Sequence, residues 1–200
     1  MKTFFKFLFL TALFVPTFAF ALDLTSNILD DLSRPDRVIT MVGEVTEASS
    51  AEVVARIEAL DRSAPGKEIE LDITTVGGDV YAGLGVVDAM HHAISPIKTV
   101  CKGYCMSMGA VILASGTPGR RFAQPLATIL IHQLSTQSQG SLAEIKNNYE
   151  EALRIEAVID GIFTKATGLD EKTLQTEMNH DNFMTAQKAK ELHIIDEVLK

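Results

Sequence analysis

Two side chains carry the chemistry that this sequence advertises: a serine, Ser107, and a histidine 25 residues further on, His132. Ile97, Thr99 and Val100 read as a short buried strand that breaks at Gly103, and Met108 to Ser115 is an apolar run suited to a buried helix. Ser107 therefore falls where a strand turns into a helix, with its oxygen exposed and unpaired backbone N–H groups beside it. A β-rich run, Thr128 to Ile131, then delivers His132 at its end. A serine on an elbow and a histidine on a strand end make the beginning of a nucleophile–base pair. Taken singly, each residue also has a structural explanation. A serine that opens a helix commonly caps it, and a histidine at a strand end commonly serves packing.

The elements around this pair alternate. Residues 22–35, with Leu24, Ile28, Leu29 and Leu32, have the spacing of a short amphipathic helix ended by Arg34-Pro35. Val38 to Val42 reads as a strand. Ser49 with Glu52 reads as a capping box, opening a helix that ends by Ala64-Pro65-Gly66. Glu68 to Ile73 alternates strictly, giving a strand with an acidic face at Glu68, Glu70 and Asp72. Gly77-Gly78 follow, either as a close backbone approach to a ligand or as a plain strand-to-helix turn. Val80 to Ala93 reads as a helix closed by Pro96. The strand–glycine–helix unit lacks the full dinucleotide fingerprint. After His132 comes a polar loop, 133–140, then a second capping box at Ser141 and Glu144. Helical spacing then runs from Leu142 to about Ala166, with Gly168 as its stop. Further helices are expected over Asp170 to Met178 and Thr185 to Leu192, and Ile194, Ile195 and Val198 close the chain as a strand. Strands that alternate with helices predict an α/β domain.

Composition bounds the rest. The 200 residues are 46% hydrophobic and 22% charged, ordinary for one globular domain with a substantial core. Residues 1–21 have a basic start at Lys2 and Lys6, an apolar stretch from Phe7 to Val15 and an Ala19-Phe20-Ala21 cleavage pattern, so a secretory signal peptide is expected. The apolar stretch is short for a membrane span. No cysteine follows the cleavage position, so no stable membrane anchor is expected. Cleavage removes two lysines and no acid, taking the net charge from −8 to −10. An acidic chain without a basic footprint argues against nucleic acid as partner. The expected location is outside the inner membrane, most simply a bacterial periplasm. Cys101 and Cys105 lack metal-site spacing. A bridge across so tight a loop needs unusual geometry, so two buried free thiols are expected there.

The segments G-x-x-x-S-M-G-A, G-x-x-G-x-R-x-x-x-P and I-H-Q, in that order, resemble the Clp protease proteolytic subunit (ClpP-like). D-I-T-T-V-G-G-D-V-Y-A-G upstream and H-D-N-F-M-T-A-Q-K-A-K-E-L-H-I-I-D-E-V downstream extend the resemblance from about Asp30 to Lys200. It implies the α/β fold shared by the Clp peptidase and the crotonases, of repeated strand–strand–helix units with a protruding helix–strand handle. Residues 22–200 would be one such peptidase domain. Carried over by position, Ser107 is the nucleophile, His132 the general base and Asp181, 49 residues beyond it, the orienting carboxylate. Gly78 and Met108 supply oxyanion-hole N–H groups. The implied activity is cleavage of peptides or unfolded proteins inside a homo-heptameric ring, single or stacked, with no cofactor and no metal.

The sequence departs from the family in three places. Val76 stands where proline usually precedes the paired glycines, and Leu134-Ser135-Thr136 replace a proline and glycines after I-H-Q. Glu70, Asp72 and Lys102 occupy positions that in the family help form an apolar pocket for the ATP-driven (AAA+) unfoldase, so docking of that partner is not expected. Competing readings are a proteolytically idle ring or binding subunit and a crotonase-type acyl-CoA enzyme. The latter leaves the Ser107–His132–Asp181 spacing unexplained. A signal-peptide peptidase would use lysine as base, which His132 argues against.

Overall fold

The computed structural model describes residues 37–200. The expected signal peptide and the helix over 22–35 lie outside the described residues. Strand β1 (Val38–Val42) leads into α1 (Glu47–Ser63), β2 (Ile69–Thr75), α2 (Val80–His92), β3 (Ile97–Met106) and α3 (Met108–Ala114). Each strand is followed by a helix, and β1, β2 and β3 pair in parallel. A parallel sheet needs such crossovers, which is why the alternation was readable in the sequence. Beyond them come β4 (Arg121–Ala123), β5 (Thr128–Ile131), α4 (Leu142–Thr167), α5 (Glu171–Met178), β6 (Asn182–Thr185), α6 (Ala186–Glu191) and β7 (Glu197–Val198).

The sheet branches at β3. Its first half, Thr99 to Cys101, pairs in parallel with β4, which pairs in turn with β7. Its second half, Tyr104 to Met106, pairs with β5 instead, and β5 pairs antiparallel with β6. The branch is a bulge. Ile73 of β2 faces Cys101 and Thr75 faces Cys105, so residues 102–104 stand against Thr74 alone. Gly103, at φ +97°, supplies the backbone conformation that the bulge requires. The strand expected to break at Gly103 thus continues to Met106 along a new direction. The bulge also overturns the expected free thiols: Cys101 and Cys105 form a disulfide, with their Cα atoms 5.9 Å apart. In a regular strand, four residues would separate them by roughly 13 Å.

Two helix starts differ in how well they were readable. The box at Ser141 and Glu144 is present. At α1 the cap is Thr46, whose hydroxyl accepts from the Ser49 N–H while Ser49 Oγ accepts from the Thr46 N–H. The extended backbone of Thr46 starts the helix three residues earlier than the Ser49–Glu52 reading implied. At the carboxyl end, Ile194 and Ile195 are buried outside any strand, and β7 is only Glu197–Val198. Buried residues of α4 begin at Ile155, so its amino-terminal half is largely exposed, as the helical part of a handle would be. Residues 133–140, ahead of it, form no strand. Among the described residues no helix is long and apolar enough to cross a membrane.

Candidate active site

Ser107 leaves β3 at φ +53° and ψ −121°, a strained conformation for a residue with a Cβ. It stands at the N-cap position of α3, yet its side chain makes no capping hydrogen bond. The hydroxyl meets His132 Nε2 at 2.8 Å instead. Capping, the structural explanation for this serine, therefore does not apply. Strand pairing makes the encounter: Met106 faces Leu130, and the Ser107 N–H donates to the Leu130 carbonyl at 2.9 Å. That register sets the end of β5 beside the elbow, and His132 is the next residue out.

The same logic brings in Asp181. Ile131 of β5 faces Asn182 of β6, so the residues just beyond that pair, His132 and Asp181, lie opposite one another. His132 Nδ1 is 3.4 Å from Asp181 Oδ1. The imidazole side chain is 26% exposed and the carboxylate 66% exposed. An Nδ1 that faces a carboxylate carries the proton and leaves Nε2 free to accept from the serine. Asn182, which donates to the Glu177 carbonyl at 3.0 Å and to Glu177 Oε2 at 2.8 Å, fixes the turn that carries Asp181.

Gly77 and Gly78 form the opposite wall. A Cβ on Gly78 would sit 2.3 Å from the Val45 carbonyl oxygen, and one on Gly77 would sit 2.8 Å from the Ser107 Cβ. The Gly-Gly turn is thus a close backbone approach to the elbow. Val45 N–H donates to the Gly77 carbonyl at 2.9 Å and Asp79 N–H to the Val45 carbonyl at 2.8 Å, clamping the turn. Among the described residues, no backbone acceptor meets the N–H groups of Gly78 and Met108.

A cavity of about 160 Å³ opens beside Ser107, its apolar walls formed by Val80, Met108, Val111, Ile131, Ile159 and Phe163. It continues into a groove of about 350 Å³ that Asp79, Tyr81, Asn148 and Glu151 line. Tyr81 donates to Glu151 at 3.0 Å, tying the start of α2 to the handle helix. Hydrogen bonds from Arg154, and then from Tyr81, hold the Glu151 carboxyl down at about 2. A larger cavity, about 710 Å³, lies between the carboxyl ends of α2 and α3 and the carboxyl-terminal part of α4, away from the serine. No cluster of metal-ligating side chains occurs among the described residues.

The acidic face of β2 is paired with β3. Lys98 Nζ reaches Glu70 at 2.7 Å and stacks over Phe122 at 5.4 Å from the ring centre, and Lys102 pairs with Asp72. Burial pushes the Asp72 carboxyl up despite that lysine.

The fold and this site together define an α/β protein with a strained serine and a histidine joined at the carboxyl ends of a mostly parallel sheet. A family model for Clp protease matches residues 23–200. The chain belongs to the Clp protease family, and that membership supports a peptidase.

Proposed function

We propose that the protein is a serine endopeptidase in which Ser107 is the nucleophile, His132 the general base and Asp181 the orienting carboxylate. The observation that carries this reading is the 2.8 Å contact of Ser107 Oγ with His132 Nε2. Ser107 Oγ attacks the scissile carbonyl while Nε2 takes its proton. The carbonyl electrons collect on an oxygen that the Gly78 and Met108 N–H groups receive. Collapse of that intermediate returns the proton to the leaving amine and leaves an acyl-serine. Water, deprotonated by the same imidazole, releases the second product. Asp181 stabilises the imidazolium that forms in both steps. Each oxyanion donor is worth about 10²–10³ in rate. The cavity beside the serine suits an apolar side chain next to the bond that is cut.

The paired charges at Glu70, Asp72, Lys98 and Lys102 support a peptidase that works without the ATP-driven unfoldase, since an apolar docking loop would strand them away from water. The Cys101–Cys105 disulfide supports export to an oxidising compartment such as a periplasm, in line with the expected signal peptide. The working form is a homo-heptameric ring, and its mass by light scattering tests that. Peptides and unfolded proteins are the substrates.

Labelling of the purified protein by a fluorophosphonate probe, with and without Ser107→Ala, tests the chemistry. Labelling of the wild type alone, accompanied by ATP-independent cleavage of a peptide, is the expected result. A folded, assembled protein that neither labels nor cleaves would leave the idle-ring reading in its place.

A further inference from the structure

The residues that aim Ser107 are those of the β3 bulge, and the bulge closes on itself. Cys101 lies at one foot, paired with Ile73 of β2 and Ala123 of β4. Cys105 lies at the other, paired with Thr75 of β2 and Ile129 of β5. The disulfide therefore joins the two strand pairings between which the sheet branches, and Ser107 follows two residues later. Two weaker ties hold the crest: the Thr74 hydroxyl donates to the Lys102 carbonyl, and the Lys102 ammonium reaches Asp72.

We propose that the Cys101–Cys105 disulfide is a positioning device for Ser107, so that acylation is fast in the oxidised protein and slows reversibly when the bridge is reduced. The inference rests on the reading of Ser107 as nucleophile. Regular pairing of β2 with β3 would set residue 103, not Cys105, against Thr75. Relaxation of the bulge towards that register shifts the end of β3 by up to two residues, roughly 7 Å, relative to β2 and to the Gly77–Gly78 turn that lies against Ser107. Far smaller displacements matter, because a reacting group moved by about 1 Å can lose about 10²-fold in rate. The bridge closes a loop of only a few residues, so its constraint on the folded protein is local. Both cysteines are wholly buried, so the pair is an internal one and opens only to a reductant that reaches it during local fluctuation.

Reduction by a dithiol supplies two electrons and two protons. The S–S bond breaks, two thiols form and the dithiol becomes a cyclic disulfide. The experiment compares oxidised protein, protein treated with dithiothreitol and Cys101→Ala/Cys105→Ala, with thiols counted by alkylation after denaturation. Four quantities are read: the second-order rate of fluorophosphonate modification at Ser107, kcat and KM on a peptide, and amide hydrogen exchange. The labelling rate and kcat should fall roughly 10- to 100-fold on loss of the bridge, with KM within a factor of about two. Exchange should quicken across 102–108 and stay unchanged in the carboxyl-terminal half of α4, and reoxidation should restore both rate and protection. Equal labelling rates with and without the bridge, or unchanged exchange across 102–108, overturns the inference. Oxidised wild type that fails to label overturns the serine reading instead, and the exchange comparison still decides the role of the bridge. If the double variant does not fold, the dithiol arm decides; if the native bridge resists dithiol, the variant does.

Discussion

The two ends of the sheet are built on opposite terms. At the amino ends of the strands sit two buried arginines, each with all three guanidinium nitrogens engaged. Arg37 donates to the Leu60, Lys67 and Glu68 carbonyls and to the Ser63 hydroxyl at 2.9–3.2 Å. Arg121 grips Asp196 with Nε at 3.0 Å and Nη2 at 2.6 Å, and reaches the Ala166 carbonyl at 2.9 Å. At the carboxyl ends sit a strained serine, a half-buried histidine, a largely exposed aspartate and N–H groups without a backbone acceptor. A buried polar group whose atoms are all engaged serves to fix the fold. One left with capacity costs stability and can meet a substrate. On the proposed reading of the site, stability and chemistry lie at different ends of the same strands.

Substitutions at the two ends should separate cleanly. The largest effect belongs to Ser107→Ala, which should lower kcat by about 10⁶ and leave the urea midpoint nearly unchanged, as side-by-side peptide assays and denaturation would show. Asp181→Asn should cost roughly 10²–10⁴ in kcat with KM preserved. Its exposure lets water take part of its role, so a loss near the lower figure would sharpen the contrast. Asp196→Asn inverts the pattern: it strands the Arg121 guanidinium, should cost about 3 kcal/mol in a denaturant titration, and should leave labelling of the folded protein intact. A catalytic defect in Asp196→Asn without a stability loss would break the comparison.

Val80→Phe, which narrows the cavity from a half-buried position, should reduce kcat/KM for a bulky apolar residue about tenfold and spare a small one, in assays on paired peptides. The smallest effect is one of pH. Burial raises the Asp196 carboxyl, but the hydrogen bonds from Arg121 outweigh it, and the group is held below its ordinary value. A carboxyl depressed in the folded state contributes stability that is present above its unfolded pKa of about 3.9, and that is lost as the pH falls through the lower folded value. Stability of the wild type should therefore fall more steeply than that of Asp196→Asn below about pH 4, measured as urea midpoints across an acid series.

Much of the framework was readable because local chemistry specified it. Ser141 with Glu144 capped a helix where expected, and Gly168 ended it in the left-handed conformation at φ +73°. Strands β1, β2 and β5 were visible as β-rich or alternating runs. Strands β4 and β6 were not, because Arg121–Ala123 and Asn182–Thr185 lack the β-branched run of the equally short β5 and owe their extension to a partner. The cysteines misled for a related reason. Four residues of regular strand forbid a bridge, and nothing local in the sequence announces that β2 and β3 will fall out of register between them.

The sequence by itself determined the α/β alternation, the elbow at Ser107 and the strand that ends at His132, because periodicity, turn residues and apolar runs act over a few neighbours. It placed Gly78, Met108 and Asp181 only through resemblance. Tertiary structure decided what those residues face. The antiparallel pairing of β5 with β6 sets Asp181 opposite His132, and the turn at Val45 presses the paired glycines against the elbow. The β3 bulge, with its buried disulfide, sends one strand into two pairings. These are long-range registers, and no short stretch of chain contains the partner that fixes them.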